Sequence, residues 1–310
     1  MSIFEKKERH IDFMKQRFLG FALSAVLLII AIGSLATRGL NYGIDFEGGI
    51  LVEATSDGPI DIAAVRASLS FLHSPTIQTT RTPDEAGVMR SSLLIQAQLK
   101  EGENATETVN RIKSVLGADY RYGQVEIVGP TIGQELKEKS LFASVLALIA
   151  ISVYIWFRFE WPFAIGCLLA LAHDMIIVVG AFSLFQWEFD MVVVAGLLSL
   201  AGYDCNDSIV TYDRVRENLR KFRRLPVDDI LNRSINETLS RTILTSLTTL
   251  FVVLVLLTVG GVALRGFSVA MVLGTIFGTY SSIYIAVPLL RYFNIRSLGD
   301  TTDLSPRNQA

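Results

Sequence analysis

Side chains that could hold a proton lie inside a stretch otherwise apolar enough to cross a membrane. The stretch Met191–Thr211 begins as an ordinary hydrophobic helix. Polar residues then arrive before the apolar run ends, namely Tyr203, Asp204, Asn206, Asp207 and Ser208. A carboxylate at the centre of a membrane helix costs about 2.5–3.5 kcal/mol on insertion scales, so these groups need partners or water. At helical spacing Tyr203, Asp207 and Thr211 share one face with Ser199, and this face is predicted to look into a helix bundle.

Asp207 has a candidate counter-charge in the next apolar segment. It lies one to two turns before the end of its span, and Arg241 lies at the start of the following span, so the two are predicted to meet at similar depth. An unpaired charge at that depth is costly, whereas an Asp–Arg pair removes much of the cost. The residues alone leave two interpretations open: a proton-carrying pair, or a static ion pair that fixes the register of two helices.

A second polar pair, His173 and Asp174, lies in the span before. Adjacent residues point about 100° apart on a helix, so both cannot face one partner squarely. We expect one of them to face the polar part of Met191–Thr211, and a histidine satisfied within the bundle is the simpler interpretation of the other. The chain has two cysteines, Cys167 and Cys205, both inside apolar runs, and a disulfide framework is not predicted.

Composition and hydropathy predict an α-helical polytopic membrane protein. Of 310 residues, 51% are hydrophobic, and the mean hydropathy is +0.43. Crossing the hydrocarbon takes roughly 20 apolar residues. Six runs approach that length: Phe18–Ala36, Leu141–Phe157, Phe163–Phe185, Met191–Thr211, Thr242–Val262 and Phe267–Leu290. Six transmembrane helices are therefore predicted.

Basic residues predict how these spans are oriented. With six spans, the N-terminal segment 1–17, the loop 214–241 and the tail 291–310 share one side, and all three carry Lys or Arg. The positive-inside rule makes that side cytoplasmic and predicts a multi-pass membrane protein with both termini in the cytoplasm. The first span (18–37) is too long for a signal-peptide core and lacks a clear cleavage site, which favours an uncleaved anchor. A short amphipathic helix is predicted to begin at Pro226.

The segment 38–139, between the first span and the remaining spans (140–290), is predicted to be a periplasmic domain. It reads as strand, helix, strand, strand, helix, strand over Gly43–Thr55, Ile60–Leu72, Pro75–Thr82, Met89–Ala97, Glu103–Leu116 and Arg121–Val128. This βαββαβ order is that of a ferredoxin-like α+β domain. The domain shows no nucleophile with a base, no phosphate loop and no metal-ligand cluster, and its lone His73 is taken as a surface residue. A binding or lever domain is predicted rather than an enzyme, and no cofactor or nucleic-acid partner is expected.

Glycine-rich stretches flank this domain. One contains Asp45, Phe46, Gly48 and Gly49, and the other covers 128–135. Glycine permits a positive φ and close backbone approach, so both stretches are interpreted as joints between the domain and membrane helices, with ordinary turns as the alternative. The last span carries a small residue at every fourth position, which predicts close packing against another helix. That stripe comprises Gly266, Ala270, Gly274, Gly278, Ser282 and Ala286.

Several motifs together resemble one known family. They are NYGIDFEGG, VGPTIGQEL, His173-Asp174, GYDCNDSIVTYDRVRENLR and the run Ser240–Ser246, and in this order they resemble SecF, the smaller membrane subunit of the bacterial SecDF protein-export complex, a relative of the RND transporters. The resemblance implies a place in the bacterial inner membrane and six helices with one external domain. It likewise implies protons as the coupling ion and a proton path through Asp207 and Arg241 with an Asp supplied by SecD. It also implies as partners SecD, the SecYEG translocon, YajC or YidC, the translocating preprotein and the lipid bilayer. Asp204 departs from the family pattern, which usually has a small residue there, so its part in proton transfer stays open.

Three other functions compete with proton-coupled export. A small-molecule efflux pump of RND type is disfavoured because the external domain is small and single. An intramembrane aspartyl protease would match Tyr203-Asp204, but the second motif that it requires, GxGD, is absent from the other spans. A passive scaffold would tolerate neutralisation of Asp207, and that test separates it from a proton-driven machine.

Overall fold

A computed structural model of the chain describes residues 11–58, 60–83, 89–99, 103–261 and 263–296. Most of these residues are helical. The helices are α1 (Arg17–Arg38), α2 (Ile44–Glu47), α3 (Ile62–Ser68), α4 (Ala105–Leu116), α5 (Pro130–Arg158), α6 (Trp161–Phe185), α7 (Met191–Lys221), α8 (Val227–Val259), α9 (Arg265–Ser281) and α10 (Val287–Leu289). Residues 1–10 of the predicted N-terminal segment and 297–310 of the predicted tail lie outside the described residues.

Five helices in the described part of the chain are long and apolar enough to cross a membrane: α1, α5, α6, α8 and the segment Arg265–Tyr292. That last segment joins α9 to α10 through a π-helical turn, Ser282–Ala286. Large apolar side chains such as Phe142, Phe157 and Phe251 are exposed on these helices, as expected for surfaces that face lipid. The chain is therefore a polytopic, mostly helical protein of membrane type. The helix α7 is 31 residues long and packs among these five. Its polar residues lower its hydropathy, so it is not one of the five helices that are apolar enough to cross a membrane.

The remaining elements form a four-stranded antiparallel sheet with α3 and α4. Its strands are β2 (Gly49–Ser56), β3 (His73–Pro83), β4 (Met89–Gln98) and β5 (Tyr120–Val128), in the order β3-β4-β2-β5. Both helices begin at a side-chain cap, Asp61 for α3 and Asn104 for α4. Apolar residues of β2 and β4, among them Ile50 and Ile95, form a separate core with Val109 and Ile112 of α4. The observed order of strands and helices matches the predicted βαββαβ pattern.

The first predicted strand, Gly43–Thr55, is wrong in its first half. Residues Asn41–Tyr42 form a short strand, β1, which pairs in parallel with β6 (Glu188–Phe189), and Ile44–Glu47 form the single turn α2. The turn forms because the backbone of Gly43 accepts from the amides of Phe46 and Glu47. The chain thus bends sharply before β2 starts at Gly49.

Packing of α9 against α7 confirms the prediction from the small-residue stripe. A side chain at Gly274 would overlap Leu200, and one at Gly278 would meet the Asp204 carboxyl with 2.6 Å between the two atoms. On α7, a side chain at Gly196 would lie 3.3 Å from the backbone of Phe267 on α9. Small residues on both helices therefore allow a close approach that brings α9 against the polar part of α7.

Charged residues cluster at the bundle end where α5 meets α6 and α7 meets α8. Arg158 pairs with Asp213, Arg216 with Glu160, and Arg214 with Glu237. The predicted loop 214–241 is largely helical, with five connecting residues (222–226) between α7 and α8. The helix predicted to begin at Pro226 is not short. It is the start of α8, which runs without a break from Val227 to Val259.

Candidate functional site

The predicted polar face of α7 lies against α8. Three side-chain contacts join the two antiparallel helices at successive turns: Tyr203 with Ser246 (3.3 Å), Asp207 with Thr242 (2.7 Å) and Thr211 with Thr238 (3.4 Å between hydroxyl oxygens). The fourth member of the row, Ser199, is exposed and donates to a carbonyl of its own helix. The prediction that this face looks into the bundle is therefore confirmed for Tyr203, Asp207 and Thr211.

Asp207 keeps one carboxylate oxygen free. Its Oδ1 accepts from the Thr242 hydroxyl, while Oδ2 is buried and has no hydrogen-bond partner among the described residues. The Arg241 side chain is exposed and, within the described part of the chain, forms no ion pair, so the expected Asp207–Arg241 contact is not formed in this structure. Adjacent residues point about 100° apart on a helix, and α8 turns Thr242 rather than Arg241 towards Asp207.

Asp204 points to another part of the bundle, between α6 and α9. Its carboxyl lies within hydrogen-bond distance of Asp174 on α6. Asp174 also contacts His173, with 2.9 Å between Nδ1 and Oδ1, and accepts a hydrogen bond from Ser281 on α9. Asp174 is thus the residue of the His173-Asp174 pair that faces the polar part of α7, as the sequence predicts.

Among Tyr203, Asp204, Asn206, Asp207 and Ser208, Asn206 is the one that the bundle does not enclose. Its side chain is exposed, whereas Asp204, Cys205 and Ser208 beside it are buried. The two cysteines are free thiols that neighbour each other within the bundle. The polar residues of α7 therefore divide into a row towards α8, a buried carboxyl towards α6 and α9, and a peripheral amide.

The glycine pair at the start of β2 meets the first turn of α5. Gly48 (φ +79°) lies so close to Pro130 that an added Cβ would be 2.8 Å from its backbone, and Gly49 (φ +154°) lies against the carbonyl of Ala97. In return, a side chain at Gly133 would meet the backbone of Phe46 and Gly48. Both predicted glycine-rich stretches therefore pack on each other, and only glycine fits at these contacts.

Asp45 and Phe46 link this region to the start of α7. The Asp45 carboxylate accepts a hydrogen bond of 3.0 Å from the backbone N–H of Met191, the first residue of α7. A negative charge is favourable there because the helix dipole leaves its N-terminus positive. Phe46 is buried and packs on Tyr42 and Phe189. The predicted joint thus holds the helix that carries Asp204 and Asp207.

A cavity of about 1310 Å³ lies between the sheet and the ends of α8 and α9. Its walls carry the carboxyl groups of Glu47, Glu53, Glu126, Glu188 and Asp190 together with the Arg265 guanidinium. Burial raises the pKa of Glu188 to about 7, with the negative charges of Asp190, Asp45 and Glu126 adding to the rise and the hydrogen bond from Gln96 opposing it. Burial also raises the pKa of Asp190, whose carboxyl caps α7 at the Val193 amide.

Several of these residues were not found from the sequence. Thr242 and Ser281 lie in runs of small or apolar residues where one hydroxyl carries no special signal. Glu188 and Gln96 are far apart in the chain, yet the Gln96 amide donates to the Glu188 carboxyl. The alternation of strand residues could have placed Gln96 on the same face of β4 as Gln98, but not against the bundle.

The side chains brought together here include carboxyl groups, which can bind and release a proton. Among the described residues, no group of three His, Cys, Asp or Glu side chains has the geometry to hold a metal ion. What the bundle offers instead is carboxyl groups held in an apolar surrounding, where a carboxyl is more stable neutral than charged unless a partner supplies compensation. Such groups inside membrane helices typically belong to ion or proton pathways.

Two family models match the chain. The model described as "Protein export membrane protein SecD/SecF, C-terminal" matches residues 108–296, and the model described as "SecD/SecF GG Motif" matches residues 33–60. The second match contains Gly48, which contacts the start of α5, and Gly49, which lies against Ala97.

Relatives and a solved structure show the same likeness. The chain is 40% identical to the protein translocase subunit SecF of Haemophilus influenzae over 90% of this chain and 84% of that protein. It is 37% identical to the protein translocase subunit SecDF of Brucella abortus over 95% of this chain and 39% of that protein. The crystal structure of SecDF from Thermus thermophilus, a translocon-associated membrane protein, superposes with a TM-score of 0.80 at 35% identity, covering 96% of this chain and 40% of that one. The chain therefore corresponds to about two-fifths of the SecDF proteins.

Proposed function

Because the chain belongs to the SecD/SecF family of protein export membrane proteins, we propose that it is a SecF-type subunit that uses proton flow to assist export. The family assignment rests on a model match over residues 108–296 and on the 40% identity to a SecF protein along most of both chains. Proton coupling rests on a different observation. The Asp207 carboxylate lies within the bundle with one buried oxygen that no group among the described residues satisfies.

The Asp207 carboxyl can exist in two protonation states. When it is ionised, the Thr242 hydroxyl and incoming water stabilise it, and when it is protonated the free Oδ2 carries the proton without an unsatisfied charge. A membrane potential contributes about 2.3 kcal/mol per elementary charge per 100 mV, so the passage of a few protons is enough to drive a change between packed states. Arg241, one residue from Thr242, is proposed to approach Asp207 in another state of the cycle.

Helix α7 is proposed as the connection between protonation and the sheet domain. Asp207 lies on the same helix as Met191, whose backbone amide is bound by Asp45 of the joint. The glycine pair after Asp45 leads directly into β2, the central strand that pairs with both β4 and β5. A shift of α7 that follows protonation of Asp207 would therefore reach the sheet through Asp45 and Phe46.

The proposed arrangement in the membrane has six spans, α7 being the sixth in addition to the five apolar helices. The sheet domain is placed in the periplasm and the Arg-rich end of the bundle in the cytoplasm, following the positive-inside rule. The N- and C-termini are then cytoplasmic, and the protein lies in the inner membrane. SecD is proposed as its main partner, since chains named SecDF contain an equivalent of this protein within one longer polypeptide. SecYEG, YajC or YidC and the exported preprotein are proposed as the wider assembly.

The decisive test is export by Asp207→Asn in cells that lack their own copy of this subunit. Asparagine keeps the shape and can still accept from Thr242, but it cannot titrate, so proton-driven export should be lost while membrane insertion and SecD binding persist. Asp213→Asn is the matched control, because Asp213 lies on the same helix in a half-exposed ion pair with Arg158 that contributes little. Wild-type export by Asp207→Asn under a membrane potential would refute the proton path and leave a passive scaffold.

A further inference from the structure

The buried carboxyl groups of Asp174 and Asp204 form a cluster separate from Asp207. Asp174 is 0% exposed and Asp204 is 2% exposed, and they come from different helices, α6 and α7. Both carboxyl groups reach the same turn of α9. Asp174 accepts a hydrogen bond from the Ser281 hydroxyl, which also contacts the Gly278 carbonyl, and a side chain at Gly278 would meet the Asp204 carboxyl. The two carboxyl groups are hydrogen-bonding neighbours at this turn. No Lys or Arg among the described residues forms an ion pair with either of them. The pair therefore cannot be explained as half of a buried salt bridge.

Hydrogen bonding between two carboxyl groups requires a proton on one of them. An ionised carboxylate only accepts, so two ionised groups at this distance would repel each other in an apolar surrounding. Sharing one proton removes the repulsion and leaves a single negative charge to be stabilised. Pairs of this kind titrate as a unit rather than as two independent acids.

The surrounding groups indicate where that proton resides. Asp174 accepts from the Ser281 hydroxyl and lies 2.9 Å from His173 Nδ1, so it already has two donors that stabilise a negative charge. Asp204 has no such donors, and its buried Oδ1 has no partner in the described part of the chain. Asp174 is therefore the carboxylate and Asp204 the acid in this state.

The pair also has neighbours that could receive or supply a proton. Asp207 lies three residues after Asp204, about 4.5 Å further along α7. On the other side, His173 Nε2 is buried without a partner among the described residues, and the ring lies beside Tyr280 at 6.4 Å between centroids. The thiols of Cys167 and Cys205 and the Tyr212 hydroxyl are further titratable groups near Asp204. The groups thus form a row from Asp207 to His173 through the pair.

From this geometry we propose that Asp174 and Asp204 share one proton inside the bundle and form a second proton-holding site beside Asp207. Transfer within the pair breaks the O–H bond of one carboxyl and forms that of the other, and the pair keeps a charge of −1 throughout. The existence of the pair stands on the geometry alone, whereas its part in coupling rests on the proposed proton-driven function. The close approach of Gly278 to Asp204 fixes the pair, because any larger residue at 278 would displace the carboxyl.

Infrared spectroscopy of the full chain in lipid nanodiscs tests the pair directly. At pH 8, where exposed carboxyl groups are ionised, the wild type should show the C=O band of a buried carboxylic acid. Asp204→Asn should remove the contribution of Asp204 to that band. Asp174 then stays ionised, because Ser281, His173 and the introduced amide can all donate to it. An absent band in the wild type, or the same band intensity in the wild type and in Asp204→Asn, would overturn the proposal.

A matched pair of serines provides a test that keeps both carboxyl groups. Ser281→Ala removes a donor to Asp174. The Asp174 carboxylate should then accept a stronger hydrogen bond from the Asp204 acid, which shifts the frequency of the C=O band. Ser282→Ala is the control, because the Ser282 hydroxyl donates to the Thr279 carbonyl and does not touch the pair. If the two variants give equal spectra, the carboxylic acid that produces the band is not hydrogen-bonded to Asp174, and the proposal is wrong.

The role in coupling is tested separately by proton-driven export. Asp204→Asn should export less than the wild type at the same membrane potential, and unchanged export would overturn the coupling role. These results are independent of Asp207→Asn. If Asp207→Asn exports normally while the infrared band behaves as expected, the pair stands and the proposed function fails; the reverse pattern refutes the pair and leaves the function intact.

Discussion

Replacing Glu188 by Gln should stabilise the chain at high pH and leave it nearly unchanged at low pH. The Glu188 carboxyl is largely buried at the cavity between the sheet and the bundle, and its pKa rises from the ordinary 4.5 to about 7. The folded protein therefore binds a proton between these values that the unfolded chain has released. Stability from this group is complete below pH 4.5 and is lost as the pH rises through 7.

The size of the effect follows from the same two values. Each pKa unit corresponds to about 1.4 kcal/mol, so moving the pKa from 4.5 to about 7 amounts to roughly 3 kcal/mol of lost stability above pH 7. Glutamine avoids that loss because it is neutral at every pH, and its side-chain oxygen still accepts from Gln96. Glu188→Gln should therefore raise the melting temperature by an amount that grows between pH 4.5 and 7 and then stays constant.

The assay is thermal unfolding of the full chain in detergent at a series of pH values. Glu47→Gln is the matched control. The Glu47 carboxylate accepts from Gln98 of β4, as Glu188 accepts from Gln96 of the same strand, but Glu47 is exposed. The gain in melting temperature between pH 5 and pH 8 should be larger for Glu188→Gln than for Glu47→Gln. If Glu188→Gln shows the same difference at pH 5 and pH 8, or destabilises at pH 8, the reasoning about Glu188 is refuted.

Three further predictions concern the joint, the helix packing and the sheet domain. Gly48→Ala should impair export with normal membrane insertion, because its Cβ would meet Pro130, whereas Gly39→Ala, at a similarly positive φ with open space around it, should impair export less; equal export by the two variants would contradict the close packing. Gly274→Leu should lower thermal stability by more than 1 kcal/mol through overlap with Leu200, compared with Gly33→Leu, which meets open space, and equal melting temperatures would contradict it. The segment from Gly43 to Val128, expressed alone, should be soluble with mixed helix and strand by circular dichroism, and a disordered spectrum would show that it depends on the bundle.

Much of the architecture could be predicted because its causes are local in the sequence. A run of apolar residues predicts a membrane helix by length, and alternating residues predict the strands of the sheet, so the βαββαβ order and the small-residue contact of α9 with α7 were confirmed. The turn at Ile44–Glu47 was missed because its apolar and acidic residues alternate as in a strand. Its helical form depends on the bend at Gly43 and on the contact of Asp45 with α7, which are not local.

The candidate site was harder to predict, because it depends on how helices are rotated about their axes. Similar depth in the membrane predicts that Asp207 lies near Arg241. The rotation of α8 about its axis instead turns the next residue, Thr242, towards Asp207. The pairing of Asp174 with Asp204 was likewise out of reach, since it requires α6, α7 and α9 to meet at Gly278. The prediction that one of His173 and Asp174 faces α7 held because two adjacent residues cover a wide sector of a helix.

The central claim is that protonation of Asp207 moves the sheet domain through α7, and one distance measurement tests it most directly. Spin labels at the exposed positions Thr37 on α1 and Asn110 on α4 report the separation of domain and bundle, and the two native cysteines are buried. In proteoliposomes with SecD, an imposed proton gradient should change the distance distribution in the wild type and leave it unchanged in Asp207→Asn. The same change in both proteins, or no change in the wild type, would contradict the claim.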